Sequence, residues 1–322
     1  MTDDILMKEI IPAEPFSFQE WRRGYVFEPL NEISTTRFNS QFSLVDSKET
    51  YVINVIYTKQ TQILTKDPIK VECEIFRYNG RGLGPPLADI PSFLQERILK
   101  KVQSYLGSNE RMAEFRKFAS EFDEIKDFKD MMPSYRLASV LMTEWMPIFA
   151  YLSTNTTVKM YHSFLKEFKS LWGLEVPRNA EKQLSLPPLG FMVGLTDNDY
   201  RKTKVGFRAR FLPEMVLKFA EESSSWKNAS DDYEKALKTL MSVKGIGDYS
   251  ARTTLLYGLR MYHIGFVDSF VKTLMNTYFG VDKSTTNTKL LKYIDSRFSP
   301  FQGLLIDWLT GIHQIKEESK NY

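Results

Sequence analysis

From about residue 17 to 80, apolar and polar residues alternate with a period near two, as in YVINVIYT (51–58) and VECEIFRY (71–78). Turn residues separate the runs at VDSKET and KDPIK, so the pattern predicts antiparallel strands. The Gly/Pro stretch NGRGLGPP (79–86) should interrupt any regular element, and beyond it the apolar spacing becomes that of helices. Five segments carry such stripes: IPSFLQERILKKVQSYL, ERMAEFRKFASEF, LMTEWMPIFAYL, TVKMYHSFLKEFKSLW and FRARFLPEMVLKFAEE. The chain is therefore expected to be α+β, with an antiparallel β domain over 1–90 and a helical region over 91–322. It carries no fixed-period repeat and no low-complexity tract.

Within the helical region, residues 231–280 are the most informative. Tyr233, Ala236, Leu237, Leu240 and Met241 fall on one face of a first helix, which Gly245-Ile246-Gly247 interrupts. A second helix is expected to start at Asp248 as its N-cap and to bury Ala251, Leu255 and Leu256. This gives a helical hairpin over 231–260, followed by a loop and helix over 261–280. Glycine in such a bend can take positive φ and lets backbone N–H groups approach a phosphate closely. Those amides and the positive end of the second helix would form an anion site without a basic side chain. On these residues alone, a plain helix–helix turn explains VKGIGD equally well, and simple N-capping explains Asp268 before SFVKTLMNTYF.

Composition narrows the class. Hydrophobic residues at 43% and charged residues at 26% describe an ordinary folded protein. The excess of 43 Lys+Arg over 40 Asp+Glu is too small to announce a polyanion partner, so any such contact must be local. Cys73 stands alone, which excludes an internal disulfide, a cysteine-held iron–sulfur cluster and a Cys-rich zinc site. His162, His263 and His313 lack metal-ligand spacing, so no transition metal is expected. Neither a P-loop nor a dinucleotide fingerprint is present. The acidic start MTDDILMKEI and the lack of a long apolar run predict an intracellular protein with no membrane partner, and a monomer is expected.

The segment LMSVKGIGDYSA, followed by GFVDSFVK, resembles the mark of the helix-hairpin-helix (HhH-GPD) DNA glycosylase superfamily, L-x-x-(P/K)-G-(I/V)-G with a downstream aspartate. The resemblance extends through WMPIFAYLSTNTTVKMYHSFLKEF, LTDNDYRKTKVGFRARFLPEMVLKFA and RFSPFQGLLIDWL, so that residues 120–312 match in order and spacing. The preceding strands resemble the small antiparallel, TBP-like domain of the 3-methyladenine glycosylase II and 8-oxoguanine glycosylase branches, and the former is the nearer match.

That resemblance implies a base-excision-repair enzyme without a cofactor. It would flip a damaged base, an alkylated purine such as 3-methyladenine, out of double-stranded DNA and hydrolyse its N-glycosidic bond. An 8-oxoguanine-type glycosylase and a non-catalytic DNA-binding protein are the alternatives. Asp268 would be the catalytic carboxylate. Tyr249 stands where bifunctional members carry a Schiff-base lysine, which implies a monofunctional hydrolase that leaves an abasic site. Tyr249, Thr253 and Trp308 would line the base pocket. Val243, Lys244, Gly245, Ile246, Gly247 and Ser250 would hold the DNA backbone together with Arg208, and Asn155 would enter the space left by the extruded base. The carbonyls of Met241, Val243 and Ile246 would suit a monovalent cation.

Overall fold

A computed structural model describes residues 5–21, 23, 27, 31–34, 36–46, 49–59, 66–110, 112–176, 183–220, 226–227 and 232–320. The first four residues, the tip of the first predicted turn (47–48), the end of the fifth helical stripe (221–222) and residue 231 lie outside them.

The alternating segments form β2 (Asn31–Ser34), β3 (Arg37–Asp46), β4 (Glu49–Thr58) and β5 (Ile69–Tyr78), preceded by β1 (Ile5–Ile10) and the single-turn α1 (Phe18–Trp21). All pairings are antiparallel, in the order β1-β5-β4-β3-β2, with registers such as Ile53↔Ile75 and Val55↔Cys73. β1 lay outside the predicted strand region because it buries only Leu6 and Ile10, too few positions to make a pattern. The Gly/Pro stretch is a correction. Leu83–Pro86 forms β6, which pairs with the end of β5 beyond β1, at an edge where proline's missing N–H can be tolerated.

Alternation along β4 follows the two faces of the sheet. Tyr51, Ile53, Val55 and Tyr57 join the main core with the helices, whereas Val52 and Phe76 pack on a short ribbon of β7 (Leu174–Val176) and β8 (Gln183–Ser185). Gln183 Oε1 accepts from Asn39 Nδ2 (2.9 Å) and Gln41 Nε2 (2.8 Å), which seals the ribbon to β3.

The helices are α2 (Ser92–Leu106), α3 (Ala113–Ala119), α4 (Met146–Ser153), α5 (Val158–Trp172), α6 (Asp197–Arg201), α7 (Leu212–Ala220), α8 (Tyr233–Met241), α9 (Asp248–Leu259), α10 (Ser269–Phe279), α11 (Asn287–Arg297) and α12 (Gln302–Lys320). The predicted FRARF start of a helix is instead a 3-10 turn over Gly206–Phe211. The α-helix begins only at Leu212, which places Pro213 in its first turn, where proline is accepted. Met146 through Leu152 of α4 are all buried, so α4 is the axis around which α5, α7 and α9 pack.

One continuous core runs from Leu6 and Ile53 in the sheet through Ile98 of α2 and Phe149 of α4 to Leu255 of α9 and Leu309 of α12. Arg260, at φ +57 just past α9, ties that helix to the end of α2. It pairs with Glu110 and donates to the carbonyls of Ser104 and Leu137, both at 2.7 Å. Among the described residues, no helix is long and apolar enough to cross a membrane, and no group of His, Cys, Asp and Glu could hold a metal ion.

Candidate active site

The hairpin forms as its local chemistry dictates. Asp232 caps α8 by accepting the Lys235 amide at 3.0 Å. Leu237 and Leu240 face the core, but Tyr233 and Met241, expected on the same face, are exposed at the two ends of the helix. Val243 and Ile246 are buried and pin the bend, leaving Lys244, Gly245 and Gly247 at the surface. The Ile246 amide donates to the Val243 carbonyl at 3.0 Å. Gly245 has φ +93, and a Cβ there would lie 2.6 Å from Met215 Cε and 2.9 Å from Phe211 Cδ2. Its glycine is thus required both by conformation and by the approach of α7. Gly247 has φ −96, and nothing lies within 4 Å of a Cβ placed on it.

Gly247, not Asp248, is the N-cap of α9, and no side chain caps the helix. Asp248 is the first helical residue and accepts instead from Arg252 Nε at 2.8 Å. The bond that reaches back to the bend runs from the Ala251 amide to the Gly247 carbonyl (3.0 Å), so the amides before it are those that a helix cannot satisfy by itself. With the Gly247 surface open, they form a cradle for an anion.

Asp268 ends the loop after α9. It is half-buried, and its Oδ1 accepts the Val271 amide at 2.7 Å, capping α10 and fixing the direction of the carboxylate. Tyr249, on the first turn of α9, is its electrostatic neighbour. Burial, and after it the Asp268 charge, push the Tyr249 phenol well above its ordinary range, so it stays protonated at neutral pH. The Tyr249 hydroxyl bonds to the Ser153 side chain, and its ring meets Phe266 edge-on at 5.7 Å. The structure therefore brings together the hairpin helix, the Asp268 loop and the end of α4.

Two residues beyond Ser153, Asn155 is exposed in the left-handed region at φ +48, a conformation asparagine tolerates better than most residues. Arg208 explains how that turn is held, and its placement corrects the expected backbone contact. It is buried, with its guanidinium donating to the carbonyls of Thr154 and of Asn155 (3.1 Å) and lying 4.7 Å from the Phe207 ring. A cation committed to two carbonyls holds the Asn155 turn instead of facing solvent.

Three further expected site residues have buried side chains. The Ser250 side chain is buried, its hydroxyl 3.4 Å from the Ala150 carbonyl, so only its backbone belongs to the hairpin surface. Thr253 is fully buried, and its hydroxyl turns back to the Tyr249 carbonyl at 2.8 Å rather than into an open pocket. Trp308 is 2% exposed and packs edge-on against Phe115 at 5.8 Å, in the core between α3 and α12. Sequence reasoning missed Ser153 and Phe266, for which no local signal exists, and Arg252, whose i,i+4 spacing from Asp248 was readable.

No family model matches the chain. A probable N-glycosylase/DNA lyase of Methanothermobacter thermautotrophicus is 26% identical over 40% of this chain, and the match spans 47% of that protein, about half its length. Similarity to solved structures extends over nearly the whole chain. A Clostridium acetobutylicum 8-oxoguanine glycosylase/lyase, solved with double-stranded DNA containing cytosine opposite 8-oxoguanine, superposes with a TM-score of 0.72 at 15% identity over 97% of this chain and 98% of its own. A 3-methyladenine DNA glycosylase from Archaeoglobus fulgidus gives 0.73 at 16% identity over 95% and 97%. The chain thus has the fold of these DNA glycosylases, including the antiparallel sheet before the helical part.

Proposed function

We propose that this protein is a monofunctional DNA glycosylase of base excision repair, which hydrolyses the N-glycosidic bond of a damaged purine and leaves an abasic site. The observation that carries this reading is the packing of Tyr249 on Phe266, two residues before Asp268, which brings the first turn of α9 and the Asp268 loop together beside the glycine hairpin. The hairpin amides take a backbone phosphate. The strand is thereby anchored, and the target nucleotide rotates out of the stack. Departure of the base leaves an oxocarbenium-like sugar. The Asp268 carboxylate, aimed by the Val271 amide, stabilises that charge and orients or deprotonates the attacking water.

Tyr249 supports the monofunctional version, because a protonated phenol cannot form the Schiff base that an amine would form there. Its π face attracts a purine made cationic by alkylation, which favours 3-methyladenine-type lesions over neutral oxidised ones. Asn155, exposed on the turn held by Arg208, fills the space vacated by the base. The hairpin carbonyls of Met241, Val243 and Ile246 are neutral oxygen donors, a set suited to a monovalent cation that would add positive charge beside the phosphate.

A panel of duplexes, each with one alkylated, deaminated or oxidised purine, followed by alkaline cleavage of abasic sites, tests the proposal. Release of at least one modified purine is expected, without a borohydride-trapped covalent complex. Asp268→Asn should slow release roughly 10²–10⁴-fold, the scale of a positioned acid–base group. Unchanged activity in that variant would remove Asp268 from the mechanism, and a trapped complex would overturn the monofunctional assignment.

A further inference from the structure

Arg252 touches both halves of the proposed site. It stands one turn along α9 from Asp248, and its Nε donates to Asp248 Oδ1 at 2.8 Å while Nη1 donates to the Gly265 carbonyl at 3.3 Å. The Arg252 side chain is 16% exposed and the Asp248 side chain 53%, so the pair runs from the surface at the hairpin inward to the loop that ends at Asp268.

That loop has little slack at the contact. A Cβ on Gly265 would lie 3.0 Å from Ile294 Cγ2, 3.2 Å from Gln302 Cβ and 3.4 Å from Asp295 Oδ1, so α11 and α12 close on Gly265. The next residues, Phe266 and Val267, are buried, and then comes Asp268. Asp295 belongs to the same group: burial pushes its acid up, Arg252 opposes the shift and Asp248 adds to it. A guanidinium shared among these groups has a reason to be charged and fixed that a surface helix pair lacks.

We propose that Arg252 is a positioning residue that couples the first turn of α9 to the Asp268 loop, so that seating a DNA phosphate on the hairpin sets the position of that loop and of the catalytic carboxylate at its end. This rests on the reading of Asp268 given above. Two roles follow from the geometry. Arg252 neutralises the Asp248 carboxylate, which would otherwise repel a phosphate arriving at the neighbouring amides. It also holds the Gly265 carbonyl, so movement of the α9 first turn is transmitted along a short buried segment to Asp268.

The test uses Arg252→Lys and the charge-neutral double variant Asp248→Asn/Arg252→Gln, which removes the coupling without leaving the Asp248 carboxylate unpaired beside the hairpin amides. Three quantities are compared with the parent: affinity for undamaged duplex, single-turnover base release on the lesion that the parent excises, and amide hydrogen exchange of residues 262–268 with and without undamaged duplex. In the parent, duplex should slow exchange in that loop. In the double variant the slowing should vanish and release should fall about tenfold while duplex affinity stays within about twofold, a loss specific to the transition state. Arg252→Lys should recover part of both. Duplex-dependent protection that persists in the double variant, or release and affinity that fall together, would overturn the proposal. A parent that releases no base would defeat the glycosylase reading, whereas a parent that releases base with no exchange response would defeat only the coupling.

Discussion

Gly245 and Gly247 occupy one bend, yet each is glycine for a different reason. At Gly245 an added methyl meets Met215 and Phe211, and the positive φ strains any side chain, so Gly245→Ala should cost about 1–3 kcal/mol of stability, read as a lower Tm. At Gly247 the space is open and φ is ordinary, so Gly247→Ala should leave Tm within about a degree or two, as surface changes do. Its effect should appear in duplex affinity, lowered to the same extent on damaged and undamaged DNA. Loss confined to damaged DNA would contradict the assignment of the bend to backbone binding. The two residues are indistinguishable in the sequence, where G-I-G reads as a unit. The same limit applies to Arg208: an arginine in GFRAR reads as a surface charge, and only contact with a turn more than fifty positions away makes it internal.

At the level of elements, the hairpin and the helix that Asp268 caps were readable because each depends on neighbours within a few positions. The pocket walls were not. Trp308 and Thr253 were assigned by their places along helices, but which side of a helix meets open space depends on packing across several others. The bend also separates two kinds of cation. Lys244 is exposed at its tip, whereas Arg208 is inside. Lys244→Ala should therefore reduce the slope of log affinity against log salt by about one, the loss of one phosphate contact. Arg208→Ala should leave that slope unchanged while loosening the Asn155 turn, seen as faster amide exchange at residues 154–157. A reduced slope for Arg208→Ala would return it to the DNA surface.

For the molecule as a whole, the expected separation at residue 90 describes a change of architecture, while the hydrophobic interior crosses it without a break. Polar ties cross it too. Glu14 accepts from Arg116 Nη2 at 2.7 Å and from the Ala113 amide at 3.1 Å. Burial acts to raise the Glu14 pKa, but the bond and charge of Arg116 and the amides of Met112 and Ala113 outweigh it, so the folded value lies below the ordinary 4.5. The stabilisation is therefore complete above that value and is lost as pH falls through the lowered one. Glu14→Gln should be less stable than the parent in denaturant titrations near neutrality, and the two curves should converge on acidification. A gap that persists in acid would rule out this ion pair as its source.

Cys73, on β5 opposite Val55, is enclosed completely, and burial followed by the Glu72 charge pushes its thiol up to about 12. The chain's one sulfhydryl is consequently neither accessible nor nucleophilic at neutral pH. Native protein should resist iodoacetamide, with labelling tracking global unfolding and not local breathing of the hairpin. The proposed excision of alkylated purines would then proceed in the presence of electrophiles that cannot readily inactivate the protein through its own sulfur.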